Sequence, residues 1–367
     1  MMTARDTYAG RRYIANMREI VAGYGVFGLL IFLCICEGHA QDRYFTQFYA
    51  APLEVNPALT GAVDGSYRVS LIYHDQWKGV LENQYQTYGV FGDLRFDTGR
   101  RSKDRAGAGI SVVADRNGVF NFNTNQISLS GAYHKFLDGR TSQYLSAGFS
   151  LGIIQHSLNY ERLIFDDQFN GLDQYSFGTR EDLPENNFAH ADFSIGLNYA
   201  IAASKQTAFS AGIALAHLVS PSVSFYTHTD GVDMAGDVRL KQRLTAYGNL
   251  DLAMNEKVRL MPRVAVYAQG KALMAQGGAH LRFEINKHNN NAFNLGAGLR
   301  LAKELESLKP SSVMVLTGME LGSFLLGLSY EYSLDDLRSD RLGQGILELS
   351  ATFIGEYENV NSFCPSF

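Results

Sequence analysis

Cysteine is scarce in this chain: three in 367 residues, at Cys34, Cys36 and Cys364. The first two lie in an apolar N-terminal stretch that is expected to be removed. The mature chain then keeps only Cys364, which leaves no intramolecular disulfide and no cysteine metal site to expect. Proline is also rare, with seven residues, and Trp77 is the only tryptophan. Charge is low at 19% and slightly acidic, with a formal net charge of −5. Cleaving residues 1–40 would remove four basic and three acidic residues and move that charge to −6, the opposite of the basic footprint of a nucleic-acid binder. The apolar N-terminal run, Val21 to Cys36, has 16 residues and falls short of the roughly 20 needed by a helical membrane span. No glycine-rich phosphate loop and no HExxH appears, and the nine histidines are scattered. The sequence therefore gives no catalytic, cofactor-binding or metal-ligating residues to nominate.

What the chain has in quantity is aromatic residues and glycine: 23 Phe, 20 Tyr and 36 Gly. Arg11, Arg12 and Arg18 precede the apolar run, and Glu37-Gly38-His39-Ala40 follows it. A basic start, a short apolar core and small residues before a cut describe a secretory signal peptide cleaved after Ala40. From Ser66 onward, segments of about ten residues alternate apolar and polar side chains with period two. Ala191, Phe193, Ile195, Leu197 and Tyr199 alternate with Asp192, Ser194, Gly196 and Asn198. Likewise, Val69, Leu71 and Tyr73 oppose Arg68, Ser70 and His74. Fourteen such candidates run from Tyr67–His74 to Leu347–Ile354. This is the pattern of an all-β fold, a transmembrane antiparallel β-barrel of about fourteen strands, greasy outside and polar within. Closure is expected, because hydrocarbon offers no partner to an unpaired strand edge.

Three further features bear on the interior. Pro262 weakens one strand candidate, since proline cannot donate to a ladder. Polar-face glycines such as Gly148 and Gly196 are read as permitting curvature, with space in the lumen as the alternative. Polar-face arginines (Arg68, Arg243, Arg259, Arg263, Arg282, Arg300) and acids (Asp192, Asp251, Glu284, Glu331, Glu348) are mixed in sign. Such a mixture suits an interior knitted by ion pairs better than a porin constriction with separated signs. The longest polar insertions, Asn159 to Asn187 and Ser220 to Asp237, are expected at the outer mouth.

Between leader and strands lies Gln41 to Gly61, rich in aromatics and broken by Pro52 and Pro57. It suits neither a regular helix nor a long strand, and reads as an irregular arm, a plug or docking segment. The expected division is thus a signal peptide over 1–40, an arm over 41–65 and a barrel over 66–367. Gln41-Asp42, Phe45-Thr46-Gln47-Phe48-Tyr49, Pro52-Leu53, Asn56-Pro57-Ala58, Gly61, Arg68 and Gln76-Trp77 together resemble the opening signature of the PorP/SprF family. Leu328-Ser329-Tyr330-Glu331-Tyr332-Ser333-Leu334, Gly345-Ile346-Leu347-Glu348-Leu349-Ser350 and Phe353 resemble its later part, as does the Cys364 to Phe367 tail. Arg43 stands where the family usually has Pro, and His74-Asp75 where it has a basic-polar pair.

That resemblance implies a Gram-negative outer-membrane protein of the type IX secretion system and gliding machinery. It would be non-enzymatic, seated in outer-membrane lipid, and would assist secretion or surface attachment of cargo proteins or contact a periplasmic lipoprotein. The residues singled out for partner binding or plugging are Phe45, Gln47, Phe48, Tyr49, Asn56, Pro57, Arg68, Gln76 and Trp77. The competing reading is a passive, porin-like solute channel.

Overall fold

The strands carry the alternation seen in the sequence, most plainly over Asn187–Ser204, and the fourteen close on themselves. The structure, a computed structural model, describes residues 42–77, 84–98, 103–118, 122–139, 142–225, 239–286, 290–304, 307–334 and 345–356. The expected signal peptide and the Cys364 tail lie outside the described residues, as do Tyr226 to Asp237 of the second insertion. The strands are β1 (Tyr67–Gln76), β2 (Tyr85–Asp97), β3 (Arg105–Asn117), β4 (Phe122–Phe136), β5 (Gln143–Leu158), β6 (Asn187–Ser204) and β7 (Thr207–Ala216). They continue as β8 (Arg243–Ala253), β9 (Val258–Gln269), β10 (Ala272–Asn286), β11 (Asn291–Glu304), β12 (Ser307–Leu321), β13 (Phe324–Ser333) and β14 (Gly345–Gly355). Every neighbour pairs antiparallel, and β1 pairs with β14 from Tyr67↔Gly355 to Gln76↔Ile346, which leaves no free edge.

Apolar side chains line the outside. Leu129, Phe149, Ile153, Ile195 and Val315 are each about half exposed or more, as a lipid-facing band requires. Aromatics gather at both rims. Tyr67 and Phe324 pack on Phe353 at one end, with ring centroids 5.9 and 4.8 Å apart, and Tyr73 meets Tyr88 at 5.1 Å at the other. Pro262 is accommodated inside β9. It pairs with Ala279 of β10, while the β8–β9 ladder passes from Asn249↔Arg263 to Leu252↔Leu260 and so omits the proline.

The two ends of the barrel differ. Tight connections such as Lys205–Gln206 and Gly322–Ser323 share one end with the start of β1 and the finish of β14. Connections 159–186 and 217–242 share the other. In such barrels the short turns face the periplasm and the long loops face outward. On that convention β1 begins at the periplasmic end, and both long insertions crown the outer mouth.

Candidate functional site: the arm inside the barrel

Asp42 to Ser66 leads through the lumen to the start of β1. Pro52 and Pro57 each open a short turn at the position where a missing N–H costs nothing. Pro52 begins the single helical turn α1 (Pro52–Val55), and Pro57 begins a 3-10 turn over Pro57–Leu59. Asn56 caps the second turn by accepting the Ala58 N–H at 2.8 Å. Its amide also donates to the carbonyls of Leu197 and Ile213 at 2.9 and 3.1 Å. One fully buried side chain thus both shapes the arm and ties it to β6 and β7.

The arm begins at the long-loop end. There the Asp42 N–H donates to Gln269 Oε1 at 2.9 Å, and its carboxylate meets His217 at 2.5 Å and Arg243 at 3.0 Å. Burial disfavours the Asp42 charge, but Arg243 and His217 outweigh it and hold the carboxyl well below its usual range. Burial likewise opposes charging His217, yet hydrogen bonds with Asp192 and Asp42 push it up to about 9.

Halfway down, the arm meets β13 and β14. Fully buried Glu348 accepts the N–H groups of Thr46 and Gln47 at 2.9 and 2.5 Å, and its Oε2 lies 2.9 Å from His74 Nδ1. The Gln47 amide donates to Ser329 Oγ at 3.2 Å and accepts from Ser350 Oγ at 2.7 Å. The Thr46 hydroxyl donates to Glu331, which also holds Arg300 and Ser312. Lower still, His134 Nε2 donates to the Thr60 carbonyl at 2.8 Å, and the Gly61 N–H donates to Asp93 at 2.7 Å. Asp93 in turn takes Arg68 in a two-pronged pair at 2.9 and 2.8 Å. The Ser66 N–H finally reaches the Gly355 carbonyl at the tight-turn rim.

Apolar contacts complete the seat. Phe45 packs with Leu53, Ile72, Phe91 and Val113, and Phe48 with Val55, Leu59, Tyr247 and Ala265. The wall is hollowed to receive the backbone. A Cβ on Gly107 would lie 2.1 Å from the Thr60 carbonyl oxygen, and one on Gly148 2.5 Å from the Ala58 nitrogen. On Gly196 it would lie 1.9 Å from Asn56 Oδ1, and on Gly327 2.1 Å from Gln47 Oε1. The curvature reading of Gly148 and Gly196 is therefore corrected: these glycines make room for the arm.

Comparison with known proteins identifies the family. A family model described as "Type IX secretion system membrane protein PorP/SprF" matches residues 37–353. The chain belongs to the PorP/SprF family. A membrane protein of that family, built as a closed barrel with an apolar outer band, is located in the outer membrane. No curated protein matches the sequence. Similar solved structures include the TodX monoaromatic hydrocarbon channel deltaS2 mutant, at 12% identity and TM-score 0.47, covering 83% of this chain and 93% of that one. The Pseudomonas putida toluene transporter TodX is similar at 13% identity and TM-score 0.43, covering 86% and 94%. A Pseudomonas aeruginosa FadL homologue shows 11% identity and TM-score 0.43, covering 81% and 92%.

Within this PorP/SprF barrel, the residues singled out from sequence fall into two groups. Phe45, Gln47, Phe48, Asn56, Pro57 and Arg68 are buried in or against the arm, and Tyr49 is partly buried beside Phe48 and His280. Gln76 and Trp77 lie apart from it, at the long-loop rim. Gln76 pairs with Ile346 and Tyr85. Trp77 has a positive φ of 63°, donates its N–H to the Gly345 carbonyl, and meets Tyr85 edge-on at 5.4 Å. Sequence reasoning missed Thr46, Asp93 and His217, and treated Glu348 only as one of several lumen acids. Ser150, flanked by Gly148 and Gly152 in a GxSxG spacing also missed, sits in the middle of β5 without the strand-to-helix turn of a nucleophile elbow.

Proposed function

We propose that this protein is a non-enzymatic component of the type IX secretion apparatus whose lumen is blocked by its own arm. In this reading residues 1–40 form the cleaved signal peptide, 41–65 the arm and 66–367 the barrel. Its role is to dock other proteins, a secreted cargo or a periplasmic lipoprotein of the machinery, in support of secretion or gliding. The observation that carries the reading is the arm's burial. Phe45 and Phe48 are 3% and 5% exposed, so their aromatic area is spent inside the barrel and is not offered to a partner. Partner contact is left to the rims, where Trp77 stands.

Two experiments divide this reading from the passive channel. Liposomes holding the purified wild-type protein should swell slowly in small sugars, and Phe48→Ala should swell them faster. Wild-type flux equal to that of an open porin would overturn the blocked lumen. Co-purification from the native envelope should survive Phe48→Ala and weaken with Trp77→Ala; the reverse pattern would move the partner site onto the arm.

A further inference from the structure

Beside the lower part of the arm, and beneath Tyr49 and Ala50, the tight-turn half of the lumen is open as a cavity of about 810 Å³. Its mouth is set by Lys205, Arg259, Glu284 and Ser323, all at or next to tight turns, and its inner end by Tyr49, His280, Arg263 and Leu316. A volume of several hundred cubic ångströms suits a small ligand or a short stretch of chain. Access is from the tight-turn end, and the inner end is closed by the arm.

The cavity holds four arginines, and three are neutralised. Arg68 pairs with Asp93 at 2.8 Å, Arg259 with Asp251 at 2.7 Å and Arg282 with Glu320 at 2.7 Å. Arg263 is the exception among the described residues. Its guanidinium lies 4.2 Å from the centroid of the Tyr49 ring, and its buried Nη1 has no hydrogen-bond partner. A ring face attracts a cation but offers no in-plane acceptor to a guanidinium N–H, so Nη1 is left wanting an acceptor.

We propose that this cavity binds the terminal carboxylate of an extended chain entering from the periplasmic end, with Arg263 as its anion partner. Position argues for a chain end: Arg263 lies four residues inward of Arg259, roughly 13 Å along the strand at 3.3 Å per residue, against the closed end. Charge argues for a monoanion. Asp64, Asp251, Glu284, Glu320 and Glu356 share the walls and would repel a phosphate dianion, whereas one carboxylate fits the guanidinium fork. The inference rests on the seated arm, because Tyr49 supplies the floor. It is read out on the purified protein without flux or partner, so its failure is distinct from that of the blocked lumen.

Calorimetric titration of the full mature protein in detergent tests it with two pairs of probes. A hexapeptide with a free C-terminus is compared with its C-terminal amide, and decanoate with decanol. The expected result is saturable binding of at least one acid, weakened about ten-fold or more in its neutral counterpart. The same loss is expected in Arg263→Gln, with no change in Lys205→Gln at the rim. The acid that binds more tightly identifies a peptide or a fatty-acid source. Equal binding of acid and neutral analogue, unaltered affinity in Arg263→Gln, or no binding of either acid at about 1 mM would overturn the proposal. The comparison of analogues is made on wild-type protein and stands even if Arg263→Gln fails to fold.

Discussion

Gln47 and Glu348 are 301 residues apart in the chain, yet the Gln47 N–H donates to the Glu348 carboxylate at 2.5 Å in the middle of the barrel. The same carboxylate takes the Thr46 N–H. Ser329 and Ser350, which hold the Gln47 side chain, lie in the two later patches that resemble the PorP/SprF family, so the resembling segments meet at one interface inside the lumen.

Glu348→Gln keeps the volume but removes the charge from two charge-assisted hydrogen bonds. It should loosen the arm by about 2–4 kcal/mol, while the β13–β14 and β14–β1 ladders are left intact. Limited proteolysis of folded protein checks this: cleavage within 42–61 should appear in the variant at protease levels that spare the wild type, with the barrel fragment resistant in both.

Gly196→Ala places a methyl group 1.9 Å from Asn56 Oδ1, so arm and wall cannot both stay in place. The expected cost is about 1–3 kcal/mol, seen as a lower midpoint for loss of heat-modifiable mobility on electrophoresis. Gly248→Ala is the control. There the nearest atom, Val264 Cγ1, would be 3.6 Å away, and no change is expected.

The outer end of the arm should loosen in alkali. His217 is raised from 6.5 to about 9, so its stabilisation is complete below about pH 6.5 and is lost as pH rises through 9. Asp42 is shifted down, so its contribution holds at neutral pH and fades only in acid. Hydrogen exchange at residues 42–44 should accelerate between pH 7 and pH 10 beyond the intrinsic rise. His217→Gln should abolish that excess, which separates it from lysine and tyrosine titrations elsewhere.

The barrel was legible because lipid and lumen impose a period of two on every strand, and Phe193, Ile195 and Leu197 state it without help from the rest of the chain. Closure followed from the same physics. Pro262 obscured β9 only until the gap in its ladder was seen. The arm's seat was not legible. A link such as Gln47 to Glu348 leaves no local periodicity, and a glycine that admits a backbone reads in sequence like one that bends a strand. Asp93 and His217 went unnoticed because each looks like any other polar residue on a lumen face or in a loop. The partner of His217, Asp42, comes from a distant stretch of chain, and that of Asp93, Arg68, lies opposite it on the next strand, a register the sequence does not state.

The direct test of the seated arm is a disulfide across it. Thr60 Oγ1 donates to Ser130 Oγ at 2.8 Å, joining the arm to β4. In a Cys364→Ser background, Thr60→Cys with Ser130→Cys should oxidise in the envelope without added catalyst, and maleimide should find no free thiol until the protein is reduced. Two freely reactive thiols in folded, membrane-inserted protein would show that the arm does not lie in the lumen.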